Sequence, residues 1–380
     1  MRTTHIPIAT LSCSLLACGG LDSEEALLST TEAITTRELR AWFSGYNGNS
    51  GTNYLSAPHT GTYYANGDSR MSTRHVAVKN GRYGPQQRHR FDVWIPTHAG
   101  VTGPTPIAIY YHGGGFVTGG REDVEVPVVD YYLSQGIAVA SVDYRYAYRD
   151  ASEALAEGTP NDAGTNANTN GARLDNILRD CARAVQFFKY RGTAWNIDQN
   201  RVGVFGHSAG GGCAAWVAAA PNLAVARHSD PVLRKSTRVA VALHLGSQIT
   251  YNFQQWGNRL GLSQSWLNTE AEGFANMTQM TASDQRNTTE GQQLMSVLDF
   301  QVLLSSDDPP LYIFNPASLA SEEDISSDST LVLHDPRNAY GLYDSCVARG
   351  AECELDVLDQ SRDTGYPYGP YYYLVEALRR

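Results

Sequence analysis

An α/β chain built on a mostly parallel sheet is what this sequence predicts, on three observations. Apolar runs of strand length alternate with helical patterns over much of residues 74–379, the order in which a parallel sheet takes its crossover helices. Gly206-His207-Ser208-Ala209-Gly210 follows directly on the apolar run Val202-Gly203-Val204-Phe205 and leads into the small residues Gly211-Gly212-Cys213-Ala214-Ala215. That is how a strand bending sharply into a close-packed helix reads. Upstream, the run Ile107 to Tyr111 ends in His112-Gly113-Gly114-Gly115-Phe116, a glycine run at the end of another strand.

Arg74 to Lys79 and Arg88 to Ile95 are predicted to open the sheet as an antiparallel pair, the first turning through Asn80 to Pro85. The runs Ile107–Tyr111, Ile137–Val142, Val202–Phe205, Val239–Leu245, Leu311–Phe314 and Cys353–Leu358 complete it. Long helices are expected at about 172–191, 209–220, 338–349 and 371–379. Residues 37–70 are rich in Gly, Asn, Ser and Tyr without a clear period and read as irregular wrapping. Residues 151–171 form an Asn-rich loop too polar to pack. Residues 246–300, carrying Trp256, Trp266 and Phe274, read as an insertion whose aromatics line a pocket or form its own small core.

The two glycine motifs carry the chemistry. A serine hydroxyl is a weak nucleophile unless it is held at a strained, exposed turn beside a general base. The glycines flanking Ser208 suit such a turn, where a Cβ would collide with the crowded backbone. Gly113 and Gly114 would expose backbone N–H groups at a strand end, as an oxyanion hole requires. A Rossmann-like glycine turn with an incidental serine is the plain alternative for the first motif.

His-Gly-Gly-Gly followed by Gly-x-Ser-x-Gly resembles the α/β-hydrolase fold, and within it the hormone-sensitive-lipase-like and acetyl-xylan or feruloyl-esterase-like carboxylesterases. Asp143-Tyr144-Arg145, the helix Asp180 to Phe188 and Asp308-Pro309-Pro310 extend the resemblance over roughly residues 74–358. It implies a mostly parallel central sheet with helices on both faces and a cap insertion at about 246–300. It also implies Ser208 as nucleophile, with the N–H groups of Gly113, Gly114 and Ala209 as oxyanion hole. The substrate expected is a small ester, on a plant polysaccharide or a short-chain lipid, with no cofactor and no metal.

In that fold the acid and then the histidine follow the serine, each on a loop after a late strand. The resemblance places the acid after Pro310 to Phe314, where Asp328 is the first candidate and Asp324 the second; an acidic solvated loop is the plain alternative. The histidine is expected after Cys353 to Leu358, but Asp359 to Pro367 contains none. The last histidine of the chain is His334, in Leu333-His334-Asp335-Pro336; His244 lies on the strand after the serine helix. Three readings stay open. The base has moved to His334, whose plain alternative is an idle histidine at a helix start beside Asp335. A weaker base such as Asp363, or water, serves instead. Or the protein is a hydrolase-fold relative that binds without cleaving.

Arg2, the apolar stretch Ile6 to Ala17 and the box Leu15-Leu16-Ala17-Cys18 read as a lipoprotein signal. Residues 1–17 would be cleaved and Cys18 lipidated, giving an exported bacterial lipoprotein attached to a membrane of the cell envelope through its lipid anchor. The acidic, Ser/Thr-rich residues 18–36 would be a tether, and 37–380 one domain. A secreted protein with a chance cysteine is the alternative. The net charge of −10, with no basic cluster, argues against nucleic acid as a partner. Cys181 and Cys213 read as buried apolar residues, and Cys346 with Cys353 as a candidate disulfide across a helix-to-strand turn.

Overall fold

A computed structural model describes residues 61–147, 171–262, 277–321, 329–358 and 369–380. Its frame is a nine-stranded sheet in the order β1-β2-β3-β5-β4-β6-β7-β8-β9. β1 (Thr62–Tyr64), β2 (His75–Arg82) and β3 (Arg90–Pro96) run antiparallel to their neighbours. β4 (Thr105–Tyr111), β5 (Ala138–Val142), β6 (Ile197–His207), β7 (Val241–Leu245), β8 (Leu311–Asn315) and β9 (Cys353–Val357) are parallel. From β4 the chain steps one way to β5, and then to β6 on the other flank of β4. Strand order therefore reverses at β4 and β6, and open α/β sheets bind ligands outside the carboxyl ends of strands at such a point. Both glycine motifs lie there.

Alternation within strands sorts side chains to two faces. Ile107, Ile109 and Tyr111 of β4 and Val202 and Val204 of β6 enter one cluster, with α2 (Leu174–Arg191), α3 (Ala209–Ala219) and α9 (Arg337–Ala348). Ala108, Phe205 and Leu243 enter the other, under α1 (Val126–Ser134) and α10 (Pro370–Arg379). α3 is apolar all round and buried along its whole length, which its run of Gly and Ala permits because helix and sheet backbones can then approach closely. Among the described residues no helix is long and apolar enough to cross a membrane.

The predicted strands and long helices are present, with shifted ends. β2 continues to Arg82 through a register shift between Val78 and Gly81, with Asn80 at φ 58°, where a turn was expected from Asn80. β6 begins at Ile197, ahead of its apolar run, because Thr105 of β4 pairs with it there. α1 has no counterpart in the predicted elements: Val126, Val128 and Val129 are poor helix formers, and their helix is fixed by burial against the sheet. Of the insertion at 246–300, the described parts hold α4 (Trp256–Leu260), α5 (Ala282–Asn287), α6 (Thr289–Leu298) and α7 (Phe300–Leu303). Trp256, Phe253 and Phe300 pack into the main cluster rather than a core of their own; Trp266 and Phe274 lie outside the described residues. Cys346 and Cys353 form a disulfide, and Cys181 and Cys213 are free and buried.

Candidate active site

Ser208 stands between β6 and α3 at φ 54° and ψ −126°, a region costly for a residue with a Cβ and met mainly where the surroundings enforce it. Its N–H donates to Leu245 O at the end of β7 (3.0 Å), and its carbonyl accepts from Gly211 and Gly212. The flanking glycines are required by contact. A Cβ on Gly206 would lie 2.5 Å from Tyr111 O, and one on Gly210 would lie 1.9 Å from the same atom. Gly212 faces the hydroxyl of Tyr251, which donates to Ala209 O at 2.8 Å.

The loop after β4 sits against this turn. A Cβ on Gly113 would be 3.5 Å from Ser208 Cβ, and Gly114 (φ 100°), Gly115 (φ 58°) and Phe116 (φ 64°) take left-handed conformations in succession. Among the described residues, the N–H groups of Gly113, Gly114 and Ala209 donate to no protein acceptor. The His112 ring is stacked on Tyr144 with centroids 4.1 Å apart, and the Tyr144 hydroxyl donates to His112 O at 2.5 Å. Burial pulls His112 down to about 4, so its ring is neutral at pH 7 and acts as packing for the loop. Tyr146 donates to Gly119 O at the far end of the loop, and the Arg88 guanidinium lies over the Tyr146 ring at 3.6 Å. Arg121 and Asp143, paired at 2.5 Å, brace the same end.

His334 Nε2 lies 2.9 Å from Ser208 Oγ. The histidine ends a short helix, α8 (Ser329–His334), three residues before the start of α9 at Arg337. With the serine hydroxyl donating to Nε2, the ring proton is on Nδ1. Burial lowers the pKa of His334, and the neighbouring His207, whose ring stacks on it at 5.7 Å, lowers it further. Among the described residues no carboxylate accepts from His334 Nδ1. Asp335 is turned away: its carboxylate accepts from the N–H groups of Arg337 and Ala320.

His244 is buried on β7 with Nε2 on Gln248 O at 3.0 Å, and makes no bond to Ser208. Asp328, with its runner-up Asp324, and Asp363 and Cys18 lie outside the described residues. Among the described residues no group of three or more His, Cys, Asp or Glu could hold a metal ion. Beside His207 opens a cavity of about 390 Å³ between Tyr110, Phe205, Phe314 and Tyr371. Tyr251, Gln248, Asn315 and Asn338, which hold the site together, had no motif to mark them. Each acts through polar atoms that only the fold brings to their partners.

The fold and site together define an α/β-hydrolase architecture, and solved structures with the same fold are esterases. An acetyl ester-xyloside bifunctional hydrolase from Caldicellulosiruptor lactoaceticus superposes with TM-score 0.50 at 18% identity, covering 82% of this chain and 90% of that one. A truncated carbohydrate esterase from gut microbiota gives TM-score 0.55 at 13% identity over 80% of this chain and 96% of its own. The Est2 esterase of Thermogutta terrifontis gives 0.50 at 14%, over 78% and 89%. The BD-FAE family model matches residues 168–316, from the start of α2 past the end of β8. The non-reducing polyketide synthase stbA of Stachybotrys bisbyi is 41% identical over 56 residues, which is 15% of this chain but only 2% of that protein.

Contact at the turn can be separated from backbone strain. Gly210→Ala sets a Cβ against the Tyr111 carbonyl, whereas one on Gly115 would meet nothing within 4 Å. Urea unfolding is expected to show a loss of about 3 kcal/mol or more for Gly210→Ala, against about 1–2 kcal/mol for Gly115→Ala from its left-handed backbone alone. Equal losses would mean that the close approach at Gly210 is not what requires glycine.

Proposed function

We propose that this protein is a serine carboxylesterase acting on small esters. The observation that carries the reading is the 2.9 Å contact between His334 Nε2 and Ser208 Oγ at a serine held at φ 54°. Ser208 Oγ attacks the ester carbonyl while His334 Nε2 takes its proton. The N–H groups of Gly113, Gly114 and Ala209 hold the oxyanion, each such donor being worth about 3–4 kcal/mol where measured elsewhere. The tetrahedral intermediate collapses, the C–O bond to the alcohol breaks, and His334 returns the proton to the leaving oxygen. Water, deprotonated by the same nitrogen, then releases the acid and restores Ser208. Asp328 is proposed as the acid that orients His334. Two proteins of the same fold, an acetyl ester-xyloside bifunctional hydrolase and a carbohydrate esterase, support an ester carried on a saccharide as the substrate class.

A second reading is favoured by His334 Nδ1 meeting no carboxylate among the described residues: a hydrolase-fold protein that captures a ligand without cleaving it. Hydrolysis of p-nitrophenyl acetate and butyrate decides between them. Ser208→Ala and His334→Ala are each expected to lower kcat by at least about a thousandfold, as losses within a coupled triad do. Turnover lost only in Ser208→Ala removes His334 from the mechanism, and no turnover above the Ser208→Ala background supports the binder.

The pH dependence follows from the same ring. A base must be neutral to accept the serine proton, and burial lowers the pKa of His334 from 6.5. The acid limb of kcat/KM should therefore have its midpoint below 6.5, with a plateau through neutral pH. His207→Gln, which removes a like charge beside His334, should move that midpoint upward. A limb above 6.5 would assign the titration to another group.

We also propose that Leu15-Leu16-Ala17-Cys18 is a lipoprotein signal and that Cys18 carries the lipid anchor. Cys18→Ser should shift the protein from the membrane to the soluble fraction of the host cell, and unchanged fractionation would remove the anchor.

A further inference from the structure

α8 is only six residues long. A helix leaves its last four carbonyls without partners in the helix, so a single short turn carrying a reacting side chain cannot hold its own direction. Here the last three of them, and the carbonyl of Asp335 just beyond, each receive a side-chain amide. Asn338 Nδ2 donates to Val332 O (2.8 Å) and to Asp335 O (3.1 Å). Gln248 Nε2 donates to Leu333 O (2.8 Å), and Asn315 Nδ2 donates to His334 O (3.1 Å). The three amides come from the start of α9, the segment after β7 and the last residue of β8, and all are buried.

The residues that supply them are tied down as well, the two asparagines through their amide oxygens and Gln248 through its backbone. Asn338 Oδ1 accepts from Ile249 N (3.0 Å) and Asn315 Oδ1 from Ala317 N (2.9 Å). Gln248 O accepts from Nε2 of His244 on β7 (3.0 Å). Burial pulls His244 down to about 4, so its ring stays neutral and this bond persists across the working pH range. β7 also supplies, through Leu245 O, the acceptor that fixes the N–H of Ser208. Nucleophile and histidine are thus referred to one strand end, over distances of single hydrogen bonds.

We propose that Gln248, Asn315 and Asn338 are positioning residues that hold the backbone of His334 so that its Nε2 meets Ser208. The proposal rests on the serine-esterase reading. It goes further in assigning the aim of the ring to carboxamides on the backbone of α8. Backbone carbonyls that only needed solvation could be served by water; amides on residues that are themselves held in place also set direction.

The test uses the full chain, with Gln248→Met, which keeps the shape of the side chain and removes one donor, and Asn338→Leu, which removes two. Each is made alone and in a His334→Ala background. A misplacement of about an ångström can cost roughly a hundredfold in rate. Gln248→Met is expected to lower kcat for p-nitrophenyl butyrate by about ten- to a hundredfold with KM little changed, and Asn338→Leu by at least as much. In the His334→Ala background neither should lower the residual rate further. Equal fold-losses in both backgrounds, or unchanged kcat, would overturn the proposal, since a structural role does not depend on the histidine.

A readout independent of turnover accompanies it. The Cε1–H resonance of His334 in the full chain should titrate at a higher pH in Gln248→Met than in the parent, because a ring released from its buried seat regains a pKa nearer 6.5. If the parent shows no ester turnover, the serine-esterase reading fails by itself, and this titration decides the positioning: a shift supports it and an unchanged value overturns it. Should Asn338→Leu not fold, Gln248→Met alone carries both measurements.

Discussion

Two backbones pass one another at the end of the sheet with almost no space between them, and the rest of the site is arranged around that approach. The carbonyl of Tyr111, at the end of β4, lies where a Cβ would be on Gly206 and on Gly210. Because α3 starts so close to β4, the loop after β4 must turn away at once. Its left-handed residues Gly114, Gly115 and Phe116 are the result. The same approach brings Gly113 beside Ser208 and leaves N–H groups of both loops without protein acceptors. A strained serine and a set of free donors are therefore two outcomes of one packing constraint.

Tyrosines keep this crowded arrangement in place. Their number in the composition, 22 against 10 phenylalanines, suggests little by itself, yet several buried or half-buried hydroxyls end on carbonyls of the site loops. Tyr144 reaches His112, Tyr146 reaches Gly119, Tyr251 reaches Ala209, and Tyr83 reaches Asp143. Each adds a donor to a carbonyl of the site loops, and a buried carbonyl left without one loses about 1–3 kcal/mol. The rings of Tyr83, Tyr144 and Tyr251 pack into the apolar cluster beneath, so one side chain joins a loop to the core, while the Tyr146 ring lies under the Arg88 guanidinium.

What was legible in the residues was whatever local geometry dictates. A strand, a sharp turn and a close-packed helix leave a pattern of apolar, glycine and small residues, so β4, β6, α3 and both glycine motifs could be read directly. His334 could be named as a candidate but not placed, because its distance to Ser208 spans 126 positions and depends on how β8, α8 and α9 are joined. Asn315 and Asn338 were illegible: a single asparagine beside a strand or helix end looks like any turn residue, and only the tertiary fold shows which carbonyl its amide meets. α1 was missed for the opposite reason, since its β-branched residues argue against the helix that burial imposes.

The sheet ends at β1 on one side and β9 on the other, and an unpaired strand edge is a template for pairing with another chain. β1 is only three residues long. β9, Cys353-Glu354-Leu355-Asp356-Val357, carries two acids within five residues, and a disulfide from Cys353 to α9 restrains its first residue. A short edge on one side, and a charged, covalently restrained edge on the other, both disfavour strand-to-strand association. Among the described residues neither border offers a long flat apolar strand for a second copy to join, so a wide sheet is kept without edges that invite its growth from chain to chain.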